Sequence, residues 1–247
     1  MQAQDFAMAK WAIGTRLPGS NEKIIETSLE KGEIIRTHLL RPTWHFVSSE
    51  DIYWLLELTT PHINSALRSR HRELELSESL LKKTNRLIQE SLTGGNYLTR
   101  EEIISRLHKA KINTDNNRAS HIMLRAELEG IVCSGPAKAK KQTYALLNER
   151  VAKSNSLSRE AALERIAEIY FTSHCPATLK DFVWWSGLPV KDARNALEMV
   201  KSKFISVLIG QDTYWVSPSF SIPDTDDIIV NLLPAYDEFL ISYKDLM

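Results

Sequence analysis

Residues 99–146 read TREEIISRLHKAKINTDNNRASHIMLRAELEGIVCSGPAKAKKQTYAL, and they indicate the fold of this chain better than any other stretch. Thr99 followed by Glu102 forms a capping box, and the apolar residues after it predict a helix of about three turns. A short turn then leads into a second predicted helix over 116–129, which ends at Gly130. This part of the chain therefore predicts two helices separated by a turn.

A β-hairpin is predicted directly after the second helix. The segments 131–133 and 143–146 are rich in apolar and β-branched residues, and residues 134–141 would join them. Helix, turn, helix and hairpin follow one another in the order of a winged helix-turn-helix unit. We assign residues 94–150 to this unit.

The same order of elements returns about seventy residues further along the chain, which indicates an internal repeat. Helices are predicted over 178–185 and 190–201, and strands over 204–207 and 213–216. Thr143-Tyr144-Ala145 in the first copy matches Thr213-Tyr214-Trp215 in the second. Residues 151–218 are therefore predicted to form a further winged-helix unit.

The remaining segments flank these two units. Residues 1–60 predict an incomplete first winged-helix unit, in which a helix that begins after Ser49 is expected to end at Pro61. Residues 61–93 are predicted to be a helical connector, and residues 219–247 a segment that leads toward a β-domain absent from this chain. The predicted fold class is mainly α with small β-wings (α+β), built from tandem winged helix-turn-helix units.

Composition narrows the classes of function. Among 247 residues, 31 Lys and Arg balance 31 Asp and Glu, so any nucleic-acid surface must come from local clusters of charge. No apolar run approaches the roughly 18 residues that a membrane span requires. Cys133 and Cys175 are expected to be reduced packing residues, and no metal site is predicted. We expect a cytoplasmic protein.

Two clusters of basic residues fall within the unit at 94–150. The first cluster shares one face of the second helix, and the second cluster lies in the predicted hairpin loop. The predicted DNA-binding residues are Arg118, His121, Arg125, Lys138, Lys140 and Lys141. A solvated helix face beside a lysine-rich loop is the competing interpretation. Trp184, Trp185 and Trp215 in the next unit could stack on bases, although a role in the core is favoured.

Three motifs resemble a known family. They read QAQD at 2–5, RPTWHFV at 41–47 with ED at 50–51, and LLPAYDE at 232–238 with YKD at 243–245. Together they are similar to the tandem winged-helix family that contains the AlkZ and YcaQ DNA glycosylases. The resemblance implies double-stranded DNA as partner and excision of alkylated or crosslinked purines by hydrolysis of the N-glycosidic bond. In that family the glutamine, aliphatic, glutamine pattern is catalytic.

Carried onto this sequence, the resemblance makes Gln2 and Gln4 the candidate catalytic residues. An extended segment would aim both side chains to one side, with Ala3 turned away. Thr43 and His45 would share one face of a strand and could line the same cleft; a structural hydroxyl and a histidine satisfied by internal hydrogen bonds are the competing interpretation. No metal or nucleotide cofactor is expected.

Other interpretations remain open. Asp5 could cap a helix over 6–13, which would make Gln2 and Gln4 leader residues without a catalytic role. Asp237 and Glu238 are expected to brace the structure rather than to act as acid and base. The alternative function is a non-enzymatic winged-helix DNA-binding protein or regulator, and a protein-interaction module would also fit the zero net charge. As a repair enzyme, the protein would be associated with the nucleoid.

Overall fold

Helices and three small antiparallel sheets make up the part of the chain described by the computed structural model, residues 1–153, 156–221 and 230–244. The helices are α1 Phe6–Arg16, α2 Glu22–Lys31, α3 Ile52–Glu73, α4 Glu78–Leu92, α5 Arg100–Lys109, α6 Arg118–Leu128, α7 Leu147–Arg150, α8 Arg159–Ser173, α9 Leu179–Ser186, α10 Val190–Val200 and α11 Glu238–Ile241. The strands are β1 Ile34–Leu39, β2 Thr43–Ser48, β3 Leu98–Thr99, β4 Val132–Lys138, β5 Lys141–Leu146, β6 Ile205–Ile209 and β7 Asp212–Val216. The predicted fold class, mainly α with small β elements, is confirmed.

The chain forms two compact units. One consists of Gly19–Asn155, and the other combines Met1–Pro18 with Ser156–Met247. No helix among the described residues has the length and apolar character needed to cross a membrane. Asp245 of the third sequence motif lies outside the described residues.

In the unit of residues 19–155, the elements α5, α6, β4 and β5 follow the predicted order. The helix α4 precedes them, and the short strand β3, which was not predicted, extends the hairpin to a sheet of order β3-β5-β4. The predicted capping box is present. The backbone N–H of Glu102 donates to the Thr99 hydroxyl at 3.3 Å, and the N–H of Thr99 donates to the Glu102 carboxylate at 2.7 Å. These bonds satisfy two donors that the start of a helix otherwise leaves without partners.

The core of this arrangement extends into the segment that was predicted to be a connector. Leu81, Ile88 and Leu92 of α4 are at most 1% exposed and pack in one hydrophobic cluster with Ile103 and Leu107 of α5. α4 is therefore an integral helix of this unit, because its apolar face is buried by the helix that follows it.

The prediction that Pro61 ends its helix is wrong. α3 continues through Pro61 to Glu73. Buried residues stand on both sides of the proline, Leu58 before it and Ile63 after it, and Ile63 packs against Leu124 of α6. An interior proline costs a helix about 3 kcal/mol, and burial of the flanking apolar side chains offsets this cost.

The hairpin of β4 and β5 is longer than predicted, and the expected loop over 134–141 shrinks to a two-residue turn. Ala139 and Lys140 form this turn with φ of 49° and 66°, as a type I′ turn requires. The register shifts between Gly135 and Lys138. A Cβ atom on Gly135 would lie 2.5 Å from the Thr143 hydroxyl oxygen, so this position has no room for a side chain.

The same order of elements recurs in the other unit as α8, α9, α10, β6 and β7. Thr178 and Asp181 form a capping box at the start of α9. Just before it, Ala177 pairs with Trp215 of β7, as β3 pairs with β5 in the first copy. The repeat predicted from the sequence is therefore present in the order of its elements and in the local bonds that start its second helix.

Candidate active site and nucleic-acid surface

The segment that carries the two candidate catalytic glutamines lies directly before α1. Gln2 is buried at 9% exposure, Ala3 is fully buried and Gln4 is exposed. Burial therefore does not alternate as expected for a simple extended segment, because Ala3 is as enclosed as Gln2. The two amides stand in different environments, one enclosed by protein and one open to solvent.

Asp5 holds the glutamine segment against the start of α1. Its carboxylate accepts hydrogen bonds from the backbone N–H groups of Ala7 and Met8, each at 3.0 Å. The prediction that Asp5 caps this helix is confirmed. The cap does not exclude catalysis, because it fixes the backbone immediately after Gln4.

Glu238 anchors the same segment from the far end of the sequence. Its carboxylate accepts a hydrogen bond from the Gln2 backbone N–H at 2.5 Å, from the Trp185 indole at 2.9 Å and from the Ser242 hydroxyl at 2.8 Å. The amino terminus of Met1 lies 3.8 Å from the same carboxylate. A buried carboxylate that meets this many donors is held in one position.

Asp237 forms a second anchor beside the first. Its fully buried carboxylate receives two hydrogen bonds from the Arg16 guanidinium, at 2.9 and 2.6 Å, and one from the N–H of Phe239 at 2.9 Å. The hydrogen bond to Asp237 raises the pKa of Arg16 above its ordinary value. These contacts support the expected bracing role of Asp237 and Glu238.

Sequence reasoning missed Arg16 and Trp185 as partners of this site. Arg16 is 221 residues away from Asp237, and Trp185 is 53 residues away from Glu238. No local pattern could reveal either pairing. Trp184 likewise donates its indole N–H to the Ile241 carbonyl at 3.0 Å, which favours the structural interpretation of both tryptophans.

Thr43 and His45 lie two residues apart on β2 and so share one side of that strand. His45 is 5% exposed, and its Nδ1 lies 2.8 Å from the Thr43 carbonyl oxygen. The Thr43 hydroxyl is buried and has no hydrogen-bond partner among the described residues. Their predicted role in lining a cleft stays a prediction.

The three basic residues of α6 have partners within their own unit. Arg118 donates to the carbonyls of Leu74 and Asn113. Arg125 binds Glu78 through two hydrogen bonds, at 3.1 and 2.9 Å, and it also binds Glu129. Both arginine side chains are only 11% exposed. These contacts favour a structural role over a role on an open DNA-binding face.

His121, the third of these residues, packs edge to face against His71 with ring centroids 5.3 Å apart. Burial lowers the pKa of both rings. The charge of Arg125 lowers the pKa of His71 further, and the charge of Arg70 does the same for His121. The pair is therefore held in the neutral form, which disfavours a direct role in binding phosphate.

Of the six predicted DNA-binding residues, the three hairpin lysines are the ones that remain accessible. Lys138, Lys140 and Lys141 are exposed at the end of the β4–β5 hairpin, and Lys138 contacts Glu102 at 2.7 Å. An exposed ion pair of this kind contributes little and is easily exchanged. Among the described residues, no group of three or more His, Cys, Asp or Glu side chains is placed to hold a metal ion.

The fold and the anchored amide segment define an α+β protein built from two copies of a helix–helix–hairpin arrangement. The Streptomyces sahachiroi DNA glycosylase AlkZ has a similar structure, with a TM-score of 0.73 and 17% sequence identity; the match covers 88% of this chain and 61% of the AlkZ chain. No curated protein sequence gives a significant match.

The sequence model of one family, described as DNA glycosylase AlkZ-like, matches residues 1–247. The chain belongs to this AlkZ-like family, and the resemblance seen in the three sequence motifs is confirmed.

Proposed function

We propose that the chain is a DNA repair glycosylase that excises alkylated or crosslinked purines from double-stranded DNA by hydrolysing the N-glycosidic bond. Its membership of the AlkZ-like family supports the class of reaction. One observation supports the placement of the site most directly. The segment that carries Gln2 and Gln4 is capped by Asp5 and tied to Glu238, so the two amides start from a fixed backbone.

The chemistry suits amide side chains. A purine alkylated at N7 already carries positive charge, so it leaves as a neutral base and needs no strong general acid. What the enzyme must supply is stabilisation of an oxocarbenium-like sugar and a positioned water molecule. A glutamine carbonyl oxygen does both without titrating, because it accepts a hydrogen bond and directs the negative end of its dipole at the sugar.

Glu238 and Asp237 would act as positioning residues in this scheme. Glu238 accepts hydrogen bonds from Gln2, Trp185 and Ser242 of the protein itself, and Asp237 is fully buried against Arg16. Both carboxylates are occupied by groups of the protein, so we assign neither of them a role as acid or base in the proposed reaction. The proposed reaction calls on no metal or nucleotide cofactor.

We interpret the two repeated arrangements as winged helix-turn-helix units, with the β4–β5 hairpin as a wing that contacts DNA phosphates through Lys138, Lys140 and Lys141. Arg118, His121 and Arg125 are not retained as DNA contacts, because their side chains are occupied inside the unit. As a repair enzyme, the protein is expected to act in the cytoplasm at the nucleoid.

Base release under single-turnover conditions tests the proposal. The protein is mixed in excess with a duplex that contains one N7-methylated purine, and the free base is measured. We expect Gln4→Ala to slow release about 100-fold, which is typical for loss of one group that stabilises a transition state. Gln211→Ala is the matched control, since it removes an exposed glutamine from the turn between β6 and β7.

The outcomes separate the candidate functions. Release that is lost in Gln4→Ala with duplex binding unchanged supports the glycosylase. Salt-dependent binding without release of any base would favour the non-enzymatic regulator. If the protein does not bind duplex DNA even at low salt, the interaction module becomes the better explanation.

A further inference from the structure

A cavity of about 410 Å³ opens beside the β4–β5 hairpin, within the unit of residues 19–155. Its volume falls in the range of pockets that bind small groups. The side chains that matter for its chemistry are Arg36, Trp44, Arg100, Glu101, Lys141 and Tyr144. The cavity therefore joins the second sequence motif, the start of α5 and the hairpin.

Positive charge dominates the lining of this cavity. Arg36, Arg100 and Lys141 contribute three cations, and Glu101 is the one carboxylate among the lining residues that the structure describes. The Arg36 guanidinium lies 4.2 Å from the centroid of the Trp44 ring and donates to the Gln142 side-chain oxygen at 2.5 Å. Arg36 is thus held in place before any ligand arrives, which lowers the entropic cost of binding an anion.

Tyr144 adds a neutral hydrogen-bond donor to the cations of this cavity. It lines the cavity and is only 8% exposed, yet no hydrogen bond of its hydroxyl is found within the described part of the chain. The hydroxyl oxygen is not among the fully enclosed polar atoms, so it keeps contact with solvent in the cavity. The three cations cannot accept its proton, so the hydroxyl is available to donate to an acceptor on a ligand, such as a phosphate oxygen.

The start of α5 adds backbone donors at the same place. Arg100 and Glu101 are its first two residues, and their N–H groups have no partners inside the helix. Glu101 supplies an internal anion there: the hydrogen bond to its own backbone N–H and the one to Thr99 lower its pKa. An external anion would compete with this carboxylate for the same donors.

We propose that this cavity binds a phosphodiester group of the DNA backbone, with Arg36, Arg100, Lys141 and the Tyr144 hydroxyl as its ligands. The proposal rests on the proposed function in one respect, which is that the polyanion is DNA. Lys141 is continuous along the hairpin with Lys138 and Lys140. A row of exposed cations leading out of the cavity favours an extended polyanion over a free phosphate.

Binding of an undamaged duplex, followed by fluorescence anisotropy over a range of salt concentrations, tests the cavity. We expect Tyr144→Phe to weaken binding about tenfold, as for loss of one hydrogen bond to a charged group. Lys141→Ala should reduce the slope of log K against log salt by about one. Tyr97→Phe and Lys83→Ala are matched controls outside the cavity, and we expect no change in either.

Glu101→Gln provides a second test, in which the expected result is tighter binding and therefore cannot be produced by misfolding. Removing the internal carboxylate should tighten duplex binding about threefold at low salt, because the backbone donors then face the phosphate alone. Unchanged or weaker binding in Glu101→Gln overturns the proposal, as does duplex affinity that Tyr144→Phe leaves unaltered.

A parallel titration with inorganic phosphate identifies the source of the anion. If Tyr144→Phe changes phosphate binding but not duplex binding, the site takes free anions and the DNA contact is refuted. The assay is also independent of catalysis. Should the duplex variants behave as expected while the unmodified protein releases no base, the phosphodiester site stands and the glycosylase proposal alone fails.

Discussion

Glu238 shows how one side chain can hold a site together from the opposite end of a sequence. Its two carboxylate oxygens bind the backbone of Gln2, the indole of Trp185 and the hydroxyl of Ser242. All three groups are donors, and the carboxylate can bind all of them because both of its oxygens are acceptors. A glutamine has the same shape but replaces one oxygen with an NH₂ donor, so it should not bind all three groups.

Glu238→Gln is expected to lower the free energy of unfolding by about 1–3 kcal/mol, because its NH₂ group would face donors that it cannot satisfy. Base release should fall as well, since the Gln2 segment loses its anchor. Thermal unfolding and the base-release assay measure the two effects. Glu160→Gln, at an exposed position of α8, is the matched control. An unchanged melting temperature in Glu238→Gln would contradict the anchoring role.

His71 gives the protein a defined dependence of stability on pH. Burial lowers its pKa below the ordinary value of 6.5, and the charges of His121 and Arg125 lower it further. The unfolded chain therefore takes up a proton before the folded chain does. The free energy of unfolding should be constant above pH 6.5 and should fall as the pH drops below that value toward the lowered pKa.

Chemical denaturation at several pH values between 5 and 8 measures this effect, and His71→Leu should flatten the profile. His108→Gln is the control, because His108 is exposed in the same unit. A profile that keeps its full slope in His71→Leu would assign the effect to other groups.

The basic residues of α6 show what helix periodicity can and cannot predict. Spacing correctly places Arg118, His121 and Arg125 on one helix. It does not reveal that Glu78, 47 residues earlier, binds Arg125. The same limit applies to Gln2 and Glu238, which are 236 residues apart. Periodicity predicts which face of a helix a side chain occupies. Its partner from a distant part of the sequence is seen only in the folded structure.

At the scale of elements, Pro61 is the position where local preference and tertiary packing disagree most clearly. It is exposed on α3, and the helix continues past it. Pro61→Ala restores a backbone donor and removes a ring that crowds the preceding turn. We expect the free energy of unfolding to rise by about 1–3 kcal/mol, measured by chemical denaturation. A loss of stability would mean that the fold requires the local geometry imposed by the proline.

The starts of α5 and α9, the second helices of the two repeated arrangements, were predictable from the sequence. The length of the β4–β5 hairpin was not. Thr99 with Glu102 and Thr178 with Asp181 form their capping boxes within four residues, so the sequence alone contains both partners. The strands β4 and β5 instead extend to Lys138 and Lys141 because they pair with each other. Such pairing depends on a turn whose positive φ angles at Ala139 and Lys140 are not favoured by those residue types.

At the scale of the whole molecule, chain order is a poor guide to which segments belong together. Met1–Pro18 joins Ser156–Met247 in one compact unit, although the first sixty residues read as a single segment in the sequence. The bonds of Asp237 to Arg16 and of Glu238 to Gln2 explain this grouping. The predicted winged-helix boundaries stay a prediction, but the first and third sequence motifs are physically joined.

The balance of 31 basic and 31 acidic residues determines how the molecule should respond to salt. Without a global positive field, the proposed duplex binding should depend on local cations, which are the hairpin lysines Lys138, Lys140 and Lys141 together with Arg36 and Arg100, which would share one phosphate with Lys141. Neutralising about three phosphates predicts a slope of log K against log salt of about −3. Anisotropy titrations at several salt concentrations measure this slope.

Two sets of variants decide which cations produce the slope. Replacing Lys138 and Lys140 together with alanine should reduce its magnitude by about two, because two phosphate contacts are lost. Arg125→Ala should leave the slope unchanged while lowering the melting temperature, since Arg125 is bound to Glu78 and Glu129. A smaller slope in Arg125→Ala would mean that α6 contacts DNA after all. A slope steeper than about −6 in the unmodified protein would require a cationic surface well beyond the hairpin.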